Sequence, residues 1–410
     1  MTRGHSAVGG ALAAALLLSG CTGGDSTLTS AGGAPATSSA PLTVAAEQPT
    51  SLGLTWADGG PVLVGQLAPA RDVDTDADFT REATIVDLDP VRARADDTLI
   101  VRQVGAVDMG SMTILESDLL GRIRAGGTMD PFTAVGSSGG SATSIVDVDV
   151  AEDAVAWTDT TSLHETQWRV LTATDAGVAA VVATSDEFDG ADQIGPEPQP
   201  TLHDGRVYFI VPGAGSPGDG SYTPGTLVSR LPDGSDHRVD AEDVDWTAAT
   251  ETGLYVAQGR EDEATTISAV RPDGVVEPVL EAQTAAHTVA AHGRWLALDT
   301  GAHAVVLDPT AREAYALPVA ESAQVSSVSI GDDLVAWTFF GERSDVQVPS
   351  VVVDLRSKRV VRLTGLLGFA QALGGDLVVL RSWEEDGAAA DGSGSANATL
   401  VRWQRAAAAP

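Results

Sequence analysis

Cysteine occurs once in the 410 residues, at Cys21, and lysine once, at Lys358. A single cysteine excludes an internal disulfide and leaves no second thiol for a zinc cluster or a redox pair. Aromatic residues make up 5% of the chain, so Val, Leu, Ile and Ala must fill most of the core. Nothing after Leu18 approaches the ~18 continuous apolar residues of a membrane-spanning helix. Positive charge is scarce: 24 Lys and Arg face 57 Asp and Glu, a formal charge of -33. That balance excludes a nucleic-acid surface and an anionic lipid surface, both of which need basic patches. No Ser or Cys sits in a nucleophile-elbow context, and no Gly-rich phosphate loop leads from a strand into a helix.

The first twenty residues have the three parts of an export signal: Arg3, an apolar run over residues 7–18, and small residues beyond. The run is too short to cross a hydrocarbon core of ~30 Å as a helix. Its end, Leu18-Ser19-Gly20-Cys21, resembles the bacterial lipobox. The resemblance implies cleavage before Cys21, diacylglycerol on its thiol, and a lipoprotein held on the outer face of the cell membrane. Two acyl chains make a stable anchor where one would be marginal. No twin-Arg pair is present, so a Sec-type route is expected. The Ala, Val, Gly, Asp and Arg excess points to a high-GC, actinobacterial genome.

Residues 21–50 comprise the cysteine and a Thr, Ser, Gly, Ala and Pro tether with almost no bulky apolar side chains. Such a coil reaches on the order of 30 Å and lifts the following domain off the lipid. Over residues 51–410 short Val-rich runs alternate with Gly, Pro and Asp turns, a pattern of strands and hairpins.

Self-similarity defines the expected fold. Polar turns ending at Asp97, Asp153, Gly205, Gly253, Gly293, Asp333 and Asp376 each precede a short apolar strand. Their spacing of about 40–56 residues is close to that of propeller blades. A second turn recurs within the units, as in Leu231-Pro232-Asp233-Gly234, Arg271-Pro272-Asp273-Gly274, Leu307-Asp308-Pro309-Thr310 and Leu355-Arg356-Ser357-Lys358. Pro presets φ and Gly accepts φ > 0, so these are tight turns between third and fourth strands.

The reading is therefore an all-β chain, a β-propeller of seven four-stranded blades. Asp58-Gly59 resembles the first turn, which leaves eight open. The last unit ends without an outer strand, and an N-terminal strand at residues 61–66 or 52–56 is expected to close the ring. Residues 84–89 are expected to form the innermost strand of the first blade. The pattern resembles TolB-like and related bacterial propellers, with Ala156-Trp157-Thr158-Asp159 and Ala336-Trp337-Thr338-Phe339 similar to parts of a Tyr-Trp-Thr-Asp repeat. The Trp-Asp pair of WD repeats does not occur.

Asp72, Asp74, Asp76 and Asp78 alternate like the start of a calcium loop, where hard oxygens converge on one ion. The loop pattern departs at Ala77, where Gly is needed, and at Ala83, where Glu is needed. Calcium is the one cofactor the sequence suggests. Asp147, Asp149, Glu152, Asp153, Asp240, Glu242, Asp243 and Asp245 lie near expected innermost strands and could line a channel. His287, His292 and His303 fall in one blade, yet their spacing does not put them on one strand face. Trp157, Trp295 and Trp337 sit on expected second strands, where packing between blades accounts for them. Trp383, beside the insertion at residues 386–397, is the tryptophan expected to be exposed.

The function expected is a membrane-anchored extracytoplasmic module that binds a protein or ligand, its partner an envelope protein or a glycan. The alternative is an extracytoplasmic propeller hydrolase or lyase, glycan-directed, with its site at the central channel.

Overall fold

The computed structural model describes residues 52–405, apart from 109–110, 112, 124–127, 135–140, 162–166, 176, 189–197, 214–223, 260–263, 320–322, 342–349, 365–366 and 383–397. The export signal, Cys21, the tether, Trp383 and the insertion lie outside the described residues.

Seven antiparallel sheets follow one another as blades of a β-propeller. Blade 1 comprises Asp89–Ala93, Leu99–Gln103, Leu119–Ile123 and Asp130–Pro131. Blade 2 comprises Ser144–Val150, Ala154–Thr160, Trp168–Thr174 and Val178–Thr184. Blade 3 comprises Thr201–His203, Arg206–Val211, Gly225–Arg230 and Arg238–Val244. Blade 4 comprises Trp246–Thr250, Gly253–Gln258, Thr265–Val270 and Val276–Ala282. Blade 5 comprises His287–His292, Trp295–Asp299, His303–Asp308 and Glu313–Pro318. Blade 6 comprises Ala323–Gly331, Leu334–Gly341, Val351–Asp354 and Arg359–Arg362. Blade 7 comprises Leu367–Gly374, Leu377–Ser382 and Ala398–Trp403, completed by Phe79–Ile85.

All seven sequence turns fall between the first and second strands of their blades. The local reason is visible at Asp204-Gly205, where both residues adopt φ > 0 (46° and 70°), the geometry of a hairpin turn that twists with its strands. Gly331 serves a different need. A Cβ there would stand 2.5 Å from the Gly374 nitrogen, so glycine lets the innermost strands of blades 6 and 7 touch.

Buried apolar side chains form seven clusters, one at each seam between neighbouring blades. Second and third strands are sandwiched on both faces and read as continuous apolar runs; all six residues of Arg206–Val211 are buried. Trp157, Trp295 and Trp337 are buried on second strands at these seams, as expected. Each fully buried Leu, Val or Ile contributes roughly 1.5–3 kcal/mol.

The ring is closed by an N-terminal strand, but a different one from either expected. Phe79–Ile85 pairs antiparallel with Ala398–Trp403 and supplies the outer strand of blade 7. Thr84 and Ile85 therefore belong to the closing strand, and the innermost strand of blade 1 begins only at Asp89. Both earlier segments lie on the outside of the ring. Leu54–Trp56 adds a fifth strand to blade 4, antiparallel to Val276–Ala282. Val64 bridges Ala314 on blade 5, and Arg71–Asp72 pairs parallel with Arg359–Arg362 on blade 6. Asp58-Gly59 is a turn of this belt, not an eighth blade.

The belt thus crosses blades 4, 5 and 6 before closing blade 7. Hydrophobic burial holds its start: Leu52, Leu54, Trp56 and Val62 complete the cluster between blades 4 and 5. The guanidinium of Arg312 lies over the Trp56 ring and pairs with Asp58 at 2.7 Å. Belt strands also cover edges that would otherwise template pairing. Blade 3 protects its own outer strand differently. Arg238–Val244 is acidic and twice irregular in register, with Asp240 the extra residue of one bulge.

Candidate functional site

The calcium candidates do not converge. Asp78 is fully buried and accepts from the Arg71 guanidinium and from the Asp74 backbone N–H at 2.9 Å, with Arg359 3.5 Å away. Burial pushes its pKa up, and the Arg71 and Asp74 hydrogen bonds outweigh that and hold it below the usual range. Asp74 caps the short helix Thr75–Asp78, and Asp72 pairs with Arg362 at 2.9 Å. Among the described residues no group of three or more His, Cys, Asp or Glu is arranged to hold a metal ion. This acidic run clamps the belt onto blades 6 and 7.

The other predicted groups also separate. Asp240, Glu242 and Asp243 lie on the outermost strand of blade 3, not on an innermost strand. His292 pairs with Asp332 across the seam to blade 6 at 3.3 Å. His303 lies on the third strand of blade 5, its pKa lowered by burial. His287 starts the innermost strand of that blade.

Asp147 and Asp149 do lie on an innermost strand, that of blade 2. Such a strand has one edge with no neighbouring strand, so its N–H groups need other acceptors. Asp147 accepts from Val148 N and Asp149 from Val150 N, each at 2.9 Å. Asp149 also takes Leu202 N of blade 3 at 2.7 Å. Similar ties run round the ring: Arg92 of blade 1 donates to Ile330 O of blade 6, and Gln371 of blade 7 to Val91 O of blade 1. Burial pushes the Asp147 carboxyl up to about 6, with Asp149 adding to the shift. The channel carboxylates mainly knit the inner strands together.

A cavity of about 300 Å³ opens elsewhere, at the seam of blades 3 and 4 on the face that carries the first-to-second-strand turns. His203, Asp204, Arg206, Tyr208, Asp236 and Arg238 line it on one side. Leu231, Val270 and Pro272 supply an apolar wall. Arg206 is buried, and its guanidinium is fixed in place. It donates to Ser229 Oγ at 3.0 Å, Ser229 O at 3.2 Å, Asp236 Oδ2 at 2.7 Å and Asp236 O at 2.6 Å. Asp236 Oδ2 also receives Arg238 at 2.7 Å, and these two guanidiniums hold its pKa below the ordinary range. Burial, reinforced by Asp240, pushes the Tyr208 phenol up, so it stays a donor.

Sequence reading did not single out any of these residues except as neighbours of turns. The tight turns His203-Asp204-Gly205 and Leu231-Pro232-Asp233-Gly234 were legible. Their meeting at one crevice depends on the register between the second and third strands of blade 3, with Val207 opposite Arg230.

The chain's one lysine is built into the seam of blades 5 and 6. Lys358 donates to the Tyr315 hydroxyl and to Glu313 at 3.3 Å, and its Nζ lies 3.7 Å from the centre of the Tyr315 ring. Burial and then Glu313 push the Tyr315 phenol up.

On the opposite face, the connection between Gln103 and Leu119 of blade 1 forms an arm containing the paired strands Val107–Asp108 and Thr113–Ile114. Asp118 roots the arm, accepting from Gly105 N at 2.7 Å and from Ile145 N of blade 2 at 2.8 Å. Val104, Leu115 and Leu119, on the arm and at its root, are 54%, 59% and 44% exposed.

No family model matches the chain, and no curated protein matches it in sequence. Several solved structures of low identity align with the chain over most of its length. A prolyl endopeptidase aligns with a TM-score of 0.48 and 11% identity, over 75% of this chain and 45% of its own. YCF48 bound to a D1 peptide aligns at 0.47 and 11%, over 83% and 98%. The Pan2 WD40 domain of Neurospora crassa aligns at 0.45 and 9%, over 82% and 99%. The chain spans less than half the length of the endopeptidase. These likenesses concern fold alone.

Proposed function

We propose that this chain is a lipid-anchored, extracytoplasmic binding module that holds an envelope protein against the outer face of the cell membrane. The lipobox-like Leu18-Ser19-Gly20-Cys21 supports the anchor on Cys21 and Sec-type export. The observation that carries the binding role is the blade 1 arm. Three large apolar side chains, Val104 and Leu119 at the root of the arm and Leu115 just beyond its hairpin strands, stand in solvent. We read these exposed apolar side chains, grouped in one connection of blade 1, as the contact surface. Exposed Asp108 and Glu116 rim the arm, so the complementary partner surface is apolar with a cationic border.

The test places a photo-crosslinking residue at Leu115 in the full chain, in its native membrane, with Val239 on blade 3 as the control position. A partner captured from Leu115 and lost in Leu119→Ser supports the reading. Equal capture from both positions overturns it. Cys21→Ser is expected to release the protein from the membrane fraction; retention of that variant overturns the anchor. Amine-reactive crosslinkers suit this chain poorly, since Lys358 is its one lysine.

A further inference from the structure

We propose that the crevice between blades 3 and 4 binds a carboxylate carried on a short aliphatic group. The inference extends the binding-module reading to a second surface, on the face opposite the blade 1 arm.

Hydrogen-bonding capacity is the first argument. The chain as a whole carries a charge of -33, yet this crevice is rich in donors. Arg206 and Arg238 both turn to one carboxylate, Asp236, so these three groups sum to +1, which Asp204 at the rim offsets, and the crevice is not acidic like the rest of the chain. Four of the five N–H groups of Arg206 are committed to Ser229 and Asp236, which fixes the guanidinium plane and leaves one donor for an incoming acceptor. The Tyr208 hydroxyl and the His203 ring add donors on the same wall. Asp204 is the one other acid lining the space, and its side chain is 68% exposed and solvated. Planar guanidinium donors match the two oxygens of a carboxylate.

Shape is the second argument. Leu231 of blade 3 and Val270 and Pro272 of blade 4 add apolar lining to a space of about 300 Å³, room for a small ligand with one polar end and one apolar end. Pre-organisation is the third. Arg206 is held by backbone and side-chain acceptors before any ligand arrives, so little ordering remains on binding.

The test uses the full chain in detergent micelles and titrates N-acetyl-leucine, isovalerate and N-acetyl-leucinamide by calorimetry and ligand-observed NMR. A Kd on the order of 1 mM is expected for at least one of the acids, with the amide at least about tenfold weaker. Preference for N-acetyl-leucine identifies a peptide C-terminus as the natural source; equal or better binding of isovalerate identifies a free acid. Arg238→Gln, at a half-exposed position, is expected to weaken binding about tenfold or more without changing the melting temperature, and Tyr208→Phe to weaken it less. Four outcomes overturn the proposal: no saturable binding of either acid by about 20 mM, amide binding equal to acid, unchanged binding in both variants, or equal competition by inorganic phosphate. The crosslink at Leu115 reads the other face, so each reading can fail alone.

Discussion

The Trp403 indole N–H donates to Asp354 Oδ2 at 3.1 Å, across the seam from blade 7 to blade 6. Both side chains are buried. Asp354 ends the third strand of its blade and also accepts from Arg356 N, Ser357 N and the Ser357 hydroxyl of the following turn. One carboxylate therefore shapes a turn within a blade and ties that blade to the next. Arg359 stacks on the other side of the pair, 4.0 Å from the Trp403 ring centre.

Asp354→Asn is expected to destabilise the protein by about 2 kcal/mol at neutral pH. Burial alone would raise the Asp354 pKa, but the Ser357 and Trp403 hydrogen bonds hold it below 3.8. A depressed carboxyl contributes stability above its unfolded pKa and loses it as pH falls through the folded value. The difference between Asp354→Asn and the parent should thus shrink below about pH 4. Chemical denaturation at pH 7 and pH 3 checks both the size and the sign.

Asp147 should behave in the opposite sense. Its folded pKa, about 6, lies above the ordinary 3.8. Between these values the folded state binds more proton than the unfolded state, so stability falls as pH rises from 4 to 6. Asp147→Asn is expected to stabilise by on the order of 1–2 kcal/mol at pH 7, with the gain gone near pH 4. The figure is below the full shift because this carboxyl is only half-buried, and exposure screens its charge.

Asp78→Ala should cost about 3 kcal/mol. It strips a fully buried carboxylate from Arg71 and Arg359 and leaves their charges facing each other. The loss should appear in thermal melting.

Starting the chain at Val73 removes the strands Leu54–Trp56 and Arg71–Asp72 but keeps the closing strand. A folded ring with a lower melting temperature and a tendency to self-associate is expected, because the edges of blades 4 and 6 become bare. Starting after Ile85 removes the closing strand as well, and no cooperative melting transition should remain. Calorimetry and size-exclusion chromatography separate the two outcomes.

Much of the fold was legible because its determinants are local. Each blade carries its own tight turn, such as Asp204-Gly205, and its own doubly buried strand, such as Arg206–Val211, so the turn positions follow from the chain alone, while the choice between seven and eight blades waited on the fold. Tryptophans on second strands were correctly assigned to packing for the same reason. The acidic channel residues were half right: Asp147 and Asp149 line an innermost strand, while Asp240 lies on an outer strand. Alternating acids look alike whether they solvate a loop or clamp arginines, as Asp72 and Asp78 do.

By itself, then, the sequence determined an all-β, repeating chain with seven local hairpin units and a lipobox-like start. Tertiary structure alone decided which N-terminal strand closes the ring. The sequence offered residues 52–56 and 61–66 for that role and missed Phe79–Ile85, whose pairing with Ala398–Trp403, more than 300 residues away, forms only when the ring closes. The same holds for the Trp403–Asp354 tie and the crevice beside Arg206. Their partners lie on different strands or blades, and a contact of that kind forms only when the seams pack.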